Sequence, residues 1–127
     1  MTKVVLVAGG QLEELPSDVD AWVGVDRGSL HLIEQGIVPD LAVGDFDSVS
    51  SQEFELVQRK AKEVLRAQPE KDDTDLELAV TATFERYPDA NVTIFAAFGG
   101  RMDHTLANVF LPSNPKIAPY MERLALQ

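Results

Sequence analysis

Four short polar segments of this 127-residue chain hold the residues whose types and spacing could do chemistry: Asp26-Arg27-Gly28, Gly44-Asp45-Phe46-Asp47-Ser48, Lys71-Asp72-Asp73-Thr74-Asp75 and Gly99-Gly100-Arg101-Met102-Asp103-His104. Carboxylates gathered in one place repel one another unless a cation joins them. With no Cys and only two His, the hard oxygen donors favour Mg²⁺ over zinc. Asp45 and Asp47 are one residue apart, so in a turn both can reach one ion. Asp72 and Asp75 would contact metal or substrate, Lys71 would meet phosphate, and the following helix would aim its first amides at an anion. Gly99 and Gly100 let a ligand approach the backbone closely, and Arg101 beside them suits charge on a transferring phosphate.

Each segment also has a plain structural reading. Asp45 and Asp47 can cap a turn, and Lys71 to Asp75 can be a solvated charge run with an N-cap at Thr74. The glycine pair can be a tight turn. His104 suits a helix end as well as a substrate contact, His31 belongs to a helix, and Trp22 and the phenylalanines read mostly as core. Neither a P-loop nor a GxGxxG signature is present.

The elements that must position these residues alternate between apolar strands and amphipathic helices. Val4 to Val7 reads as a first, buried strand rather than a signal segment, being Val-rich and ended by Gly9-Gly10. Ala21 to Val25 is a second strand running into Asp26. A helix follows from Gly28 to Gln35, stopped by Gly36 and Pro39. Leu41 to Val43 is a third strand, ending at Gly44-Asp45. Ser50 and Glu53 have capping-box spacing ahead of a helix that buries Phe54, Val57 and Ala61. Glu63 to Ala67 is read as a strand, with Val64 and Arg66 on opposite faces. Thr74 and Glu77 repeat the capping-box spacing before a Leu76, Val80, Phe84 stripe, and Tyr87-Pro88-Asp89 ends that helix. Val92 to Phe98 is continuously apolar, as in a sheet covered on both faces, and a helix through Leu106, Val109 and Phe110 follows. The expected fold is a three-layer α/β domain with a mainly parallel sheet flanked by helices and right-handed crossovers. In such a sheet the polar segments collect at the carboxyl edge, where ligands bind.

Residues 1–111 are expected to form this nucleotide-binding α/β domain. Pro112, Pro115 and Pro119 break the pattern, so residues 112–127 are read as a linker and the start of a further β domain, with Met121 to Gln127 beginning a strand. The net charge is −10, which disfavours nucleic acid and anionic membranes. An acidic domain can still hold a polyphosphate if its carboxylates first bind Mg²⁺. No apolar run approaches the about 20 residues of a membrane span, and the absence of Cys makes the cytoplasm the expected compartment.

Taken together, Val25-Asp26-Arg27-Gly28 and the other three segments, in this order and spacing, resemble the thiamine pyrophosphokinase family from Lys3 to Pro112. The resemblance implies an α/β catalytic domain followed by a β-sandwich domain, expected to be missing from these 127 residues, working as a homodimer. It implies Mg²⁺, with ATP as co-substrate and thiamine as acceptor, the thiamine cleft being completed by the partner subunit's sandwich. Carried over residue by residue, Asp45, Asp47 and Asp72 would be metal or phosphate-site residues, with Thr74 and Asp75 in the same motif. Asp26 matches the first acidic position, and Arg101, Asp103 and His104 match the Gly-Gly-Arg segment. Arg27 stands where family members often have a second glycine. The implied reaction is attack by the thiamine hydroxyl on the β-phosphorus of ATP, releasing AMP. Asp45-Phe46-Asp47-Ser48-Val49 also resembles the haloacid dehalogenase phosphohydrolases, where Asp45 would be a nucleophile; that reading leaves the other three segments unexplained. A non-catalytic nucleotide-binding module is the third alternative.

Overall fold

The computed structural model describes residues 2–8, 16, 18–46, 49–66, 75–96 and 124–126. Its strands are β1 (Lys3–Ala8), β2 (Ala21–Val25), β3 (Leu41–Gly44), β4 (Val64–Arg66), β5 (Asn91–Ala96) and β6 (Leu124–Leu126), and its helices are α1 (Arg27–Glu34), α2 (Ser51–Lys60) and α3 (Asp75–Arg86). The strands form one six-stranded sheet in the order β4-β3-β2-β1-β5-β6. Every neighbouring pair is parallel, as strand–helix–strand units require.

β1 lies inside the sheet, and Val4, Val5, Leu6, Val7 and Ala8 are all fully buried. This is why the run is continuously apolar rather than alternating. Its side chains go to opposite faces in turn. Val4, Leu6 and Ala8 join Val23, Val25, Leu41, Val43, Val92 and Ile94 in the cluster that α3 covers with Ala79, Val80 and Phe84. Val5 and Val7 pack on the other face with Leu32 of α1. On that same face α2 contributes Val57 to a third cluster with Leu30, Ala42 and Phe46. The predicted stripe of α3 is thus met at Val80 and Phe84, and the three-layer expectation holds.

The helix ends follow local chemistry. At the start of α2 the Ser50 Oγ accepts from the Glu53 amide at 3.1 Å, and the Glu53 carboxylate accepts from the Ser50 amide at 2.8 Å, completing the expected capping box. At the end of α1, Gly36 has φ 79°, and the Ile37 amide reaches back to the Leu32 carbonyl at 2.9 Å while Gly36 donates to Ile33 at 3.0 Å. This is the reciprocal pair of a Schellman stop, which needs a left-handed residue at the glycine position. Gly24 of β2 serves close packing instead: a Cβ there would fall 2.5 Å from the Ser29 Cα, so α1 sits on the bare backbone of β2.

One expectation is corrected. Val64 and Arg66 are two residues apart in a strand and therefore share a face. Val64 packs with the α2 cluster and Arg66 lies over Phe54 of α2, whereas Leu65 between them joins the α3 face. The terminal strand expected at 121–127 is β6, and it pairs in parallel with β5, Val92 opposite Leu124. It adds a sixth strand to this sheet. The helix through Leu106, Val109 and Phe110 lies outside the described residues.

The chain runs outward from β1 through β2 and β3 to β4, returns through α3, and sets β5 on the other side of β1. The direction of winding therefore reverses between β1 and β5. In open α/β sheets ligands bind outside the carboxyl ends of the strands at such a switch point.

Candidate functional site

The carboxyl edge is where β2 hands over to α1 and β3 to the segment before α2. Asp26 and Asp45 occupy those two exits, at the ends of neighbouring strands. The Asp26 amide donates to the Val43 carbonyl at 2.7 Å, continuing the β2–β3 pairing by one residue. Gly44 presses against it: a Cβ on Gly44 would lie 3.1 Å from the Asp26 Cα and 3.2 Å from its Cβ. Gly44 itself has φ 151°. A glycine ahead of Asp45 is therefore what permits the two aspartate exits to meet.

Backbone strain marks the same place. Among the described residues, the non-glycine residues at positive φ are Asp26 (51°) and Phe46 (59°). Such conformations cost of order 1–3 kcal/mol each and persist where the surroundings impose them, often at functional sites. For Phe46 the compensation is visible. Its side chain is buried among Leu30, Ala42 and Val57, and its ring packs on Phe54 at 4.9 Å between centroids. Burial of that size is worth about 1.5–3 kcal/mol. The inward Phe46 thus pins the backbone next to Asp45, and Asp45 stays half-buried at the edge. Asp26 stands at the N-cap of α1 but makes no side-chain cap hydrogen bond, so capping is not the role of its carboxylate.

Two guanidinium groups border these aspartates. Arg27, the first residue of α1, meets the Glu53 carboxylate at 3.5 Å. The Ser50 amide is the main cause holding the Glu53 carboxyl below its ordinary range, with the charge of Arg27 adding to it. Arg66, at the end of β4, is paired in register with Gly44, and its guanidinium lies 4.9 Å from the centre of the Phe54 ring. Arg66 carried no functional reading from the sequence. The available signal was a cation placed by strand period at the carboxyl end of a strand beside the Gly44-Asp45 exit.

Asp75 opens α3, and because α3 joins the end of β4 to the start of parallel β5, its first turn belongs to the same edge. Asp47, Lys71, Asp72, Thr74, Gly99, Gly100, Arg101, Asp103 and His104 lie outside the described residues. Among the described residues no group of three or more His, Cys, Asp or Glu is placed to hold a metal ion, and no helix is long and apolar enough to cross a membrane.

The site now described has relatives. Residues 12–118 match the family described as thiamin pyrophosphokinase, catalytic domain. The chain is 39% identical over 117 residues to thiamine pyrophosphokinase from Bacillus subtilis (strain 168), covering 87% of this chain and 54% of that protein. A thiamin pyrophosphokinase family protein from Enterococcus faecalis superposes with a TM-score of 0.89 at 43% identity, over 99% of this chain and 61% of that one. A protein from Lactobacillus plantarum gives 0.78 at 36% identity, over 100% and 62%. The chain spans about half the length of the curated relative it matches. The parallel sheet, the paired Asp26 and Asp45 exits and this match over most of the sequence place the chain in the thiamin pyrophosphokinase family, as its catalytic domain.

Proposed function

We propose that this domain binds Mg²⁺-ATP at the carboxyl edge and transfers its pyrophosphoryl group to thiamine, giving thiamine pyrophosphate and AMP. The observation that carries the reading is the close approach of Gly44, the residue before Asp45, to Asp26, on strained backbone, in a member of this family. The Bacillus subtilis relative is named for the same activity.

The donor set fits Mg²⁺ in kind. Asp26 and Asp45 offer hard oxygen, and the chain has no Cys to offer sulfur. Asp45 and Asp47, flanking the pinned Phe46, would hold the metal with Asp72. When bound, Mg²⁺ would neutralise charge on the phosphate oxygens. Asp26, Thr74, Gly99, Gly100 and His104 would line the nucleotide site, with Lys71 and Arg101 on the phosphates. Asp75 and the first turn of α3 would face the same group. Asp72 or Asp103 would orient the thiamine hydroxyl. In the transfer the hydroxyl oxygen bonds to the β-phosphorus, the bond from that phosphorus to the α–β bridging oxygen breaks, and AMP leaves with that oxygen while the hydroxyl proton is lost. Such a reaction depends on positioning and charge neutralisation more than on covalent catalysis. The full protein would act as a cytoplasmic homodimer, with residues 1–111 as the nucleotide-binding unit.

The test is Asp45→Asn, which keeps the volume and removes the charge. Mg²⁺-dependent turnover and Mg²⁺-ATP binding should both fall sharply. Full Mg²⁺-dependent turnover by the variant would remove Asp45 from the metal site.

A further inference from the structure

Arg66 is the feature of the carboxyl edge that the proposed chemistry leaves unused. It ends β4 opposite Gly44, one strand spacing of about 4.8 Å from the residue that precedes Asp45. Its side chain is not adrift. The guanidinium lies over Phe54 at 4.9 Å from the ring centre, within the range of a cation–π contact. Phe54 in turn packs on Phe46, the residue that pins the Asp45 turn. Arg66 and Asp45 are therefore held by one aromatic pair.

The two guanidiniums here differ in their partners. Arg27 meets Glu53, whereas among the described residues Arg66 has no carboxylate within ion-pair distance. The contact with Phe54 is to the guanidinium carbon, and the N–H groups of a guanidinium are the donors that recognise oxyanions. The rest of the described edge presents Asp26 and Asp45, and the chain carries a net charge of −10. A polyphosphate approaching this edge gains from a fixed cation beside the carboxylates.

We infer that Arg66 is a phosphate-binding residue of this site, donating hydrogen bonds to oxygens of the polyphosphate chain of a nucleoside triphosphate. The inference rests on the nucleotide reading above and adds a residue to it.

The experiment is calorimetric titration of the 127-residue chain and its Arg66→Gln and Arg66→Lys variants with Mg²⁺-ATP, Mg²⁺-tripolyphosphate and adenosine. Arg66 is exposed, and circular dichroism checks that the variants keep the fold. Losing a charge-assisted contact should weaken ATP and tripolyphosphate about tenfold or more in Arg66→Gln. Adenosine should be unaffected, and Arg66→Lys should recover part of the loss. Wild-type binding of ATP with an unchanged Arg66→Gln affinity would overturn the inference alone. So would a loss confined to adenosine, which would make Arg66 a base-stacking residue. Absence of ATP binding by the wild type would overturn the nucleotide reading and this inference with it.

Discussion

Gly24→Ala offers the sharpest check on how the fold builds the site, because a single added carbon meets an atom that cannot rotate away. The new Cβ would lie 2.4 Å from the Ser29 Oγ, 2.5 Å from its Cα and 2.8 Å from its Cβ. Ordinary carbon contacts begin near about 3.5 Å, so α1 must move off β2 by about 1 Å. Overpacking of this kind costs about 1–3 kcal/mol. α1 begins immediately after Asp26, so its displacement should also disturb the carboxyl edge and weaken Mg²⁺-ATP binding. Urea unfolding of wild type, Gly24→Ala, Ser29→Ala and the double variant separates the causes. The Ser29 Oγ is buried without a hydrogen-bond partner among the described residues, so Ser29→Ala alone should be nearly neutral. The double variant should remain at least about 1 kcal/mol below Ser29→Ala, because the Cα and Cβ contacts persist. Gly24→Ala within about 0.5 kcal/mol of wild type, the range of unremarkable surface changes, would refute the close-packing argument. Full rescue by Ser29→Ala would show that the hydroxyl alone was in the way.

Phe46→Ala should cost about 3–5 kcal/mol of unfolding free energy for lost burial. Phe46→Gly should then be more stable than Phe46→Ala by about 1 kcal/mol, inverting the usual order because φ is 59° at this position; equal or lower stability of the glycine variant in urea would contradict the strain. The Glu63 carboxylate accepts from Arg86 Nε at 3.0 Å and also from Nη2, and that hydrogen bonding is the main cause holding its pKa below 4.5. A depressed carboxylate pKa contributes stability above its unfolded value and loses it as pH falls through the folded value. Both groups are substantially exposed, so the pair is worth at most about 1 kcal/mol. Wild type should exceed Glu63→Gln in stability near about pH 7, and the gap should close towards about pH 3; a gap that persists in acid would refute the ion-pair account.

Much of the fold is legible in the sequence because burial writes itself into composition. The apolar runs at 4–7, 21–25 and 92–96 read as strands because both sheet faces are covered. Ser50 with Glu53, and Gly36 before Pro39, declare helix ends by chemistry that other residues supply poorly. The acidic exits are legible as well, since a polar residue directly after a buried strand has few places to go but the sheet edge. What stayed hidden depends on tertiary contact. Nothing in Gly44-Asp45-Phe46 announces a phenylalanine at positive φ; only its packing against Phe54 and Val57 sustains it. Strand period alone puts Val64 and Arg66 on one face, but that Arg66 lies over Phe54 depends on how α2 packs there. The strand at 124–126 was visible, but not its partner, because pairing across a sheet leaves no local mark.

Phosphorus NMR of the chain with ATP, Mg²⁺ and thiamine, against a thiamine-free control, tests the central claim most directly. The account predicts Mg²⁺-dependent perturbation of the ATP signals, with AMP and thiamine pyrophosphate appearing together and only when thiamine is present. ATP signals unaltered by the protein, or inorganic phosphate released without thiamine, would contradict it.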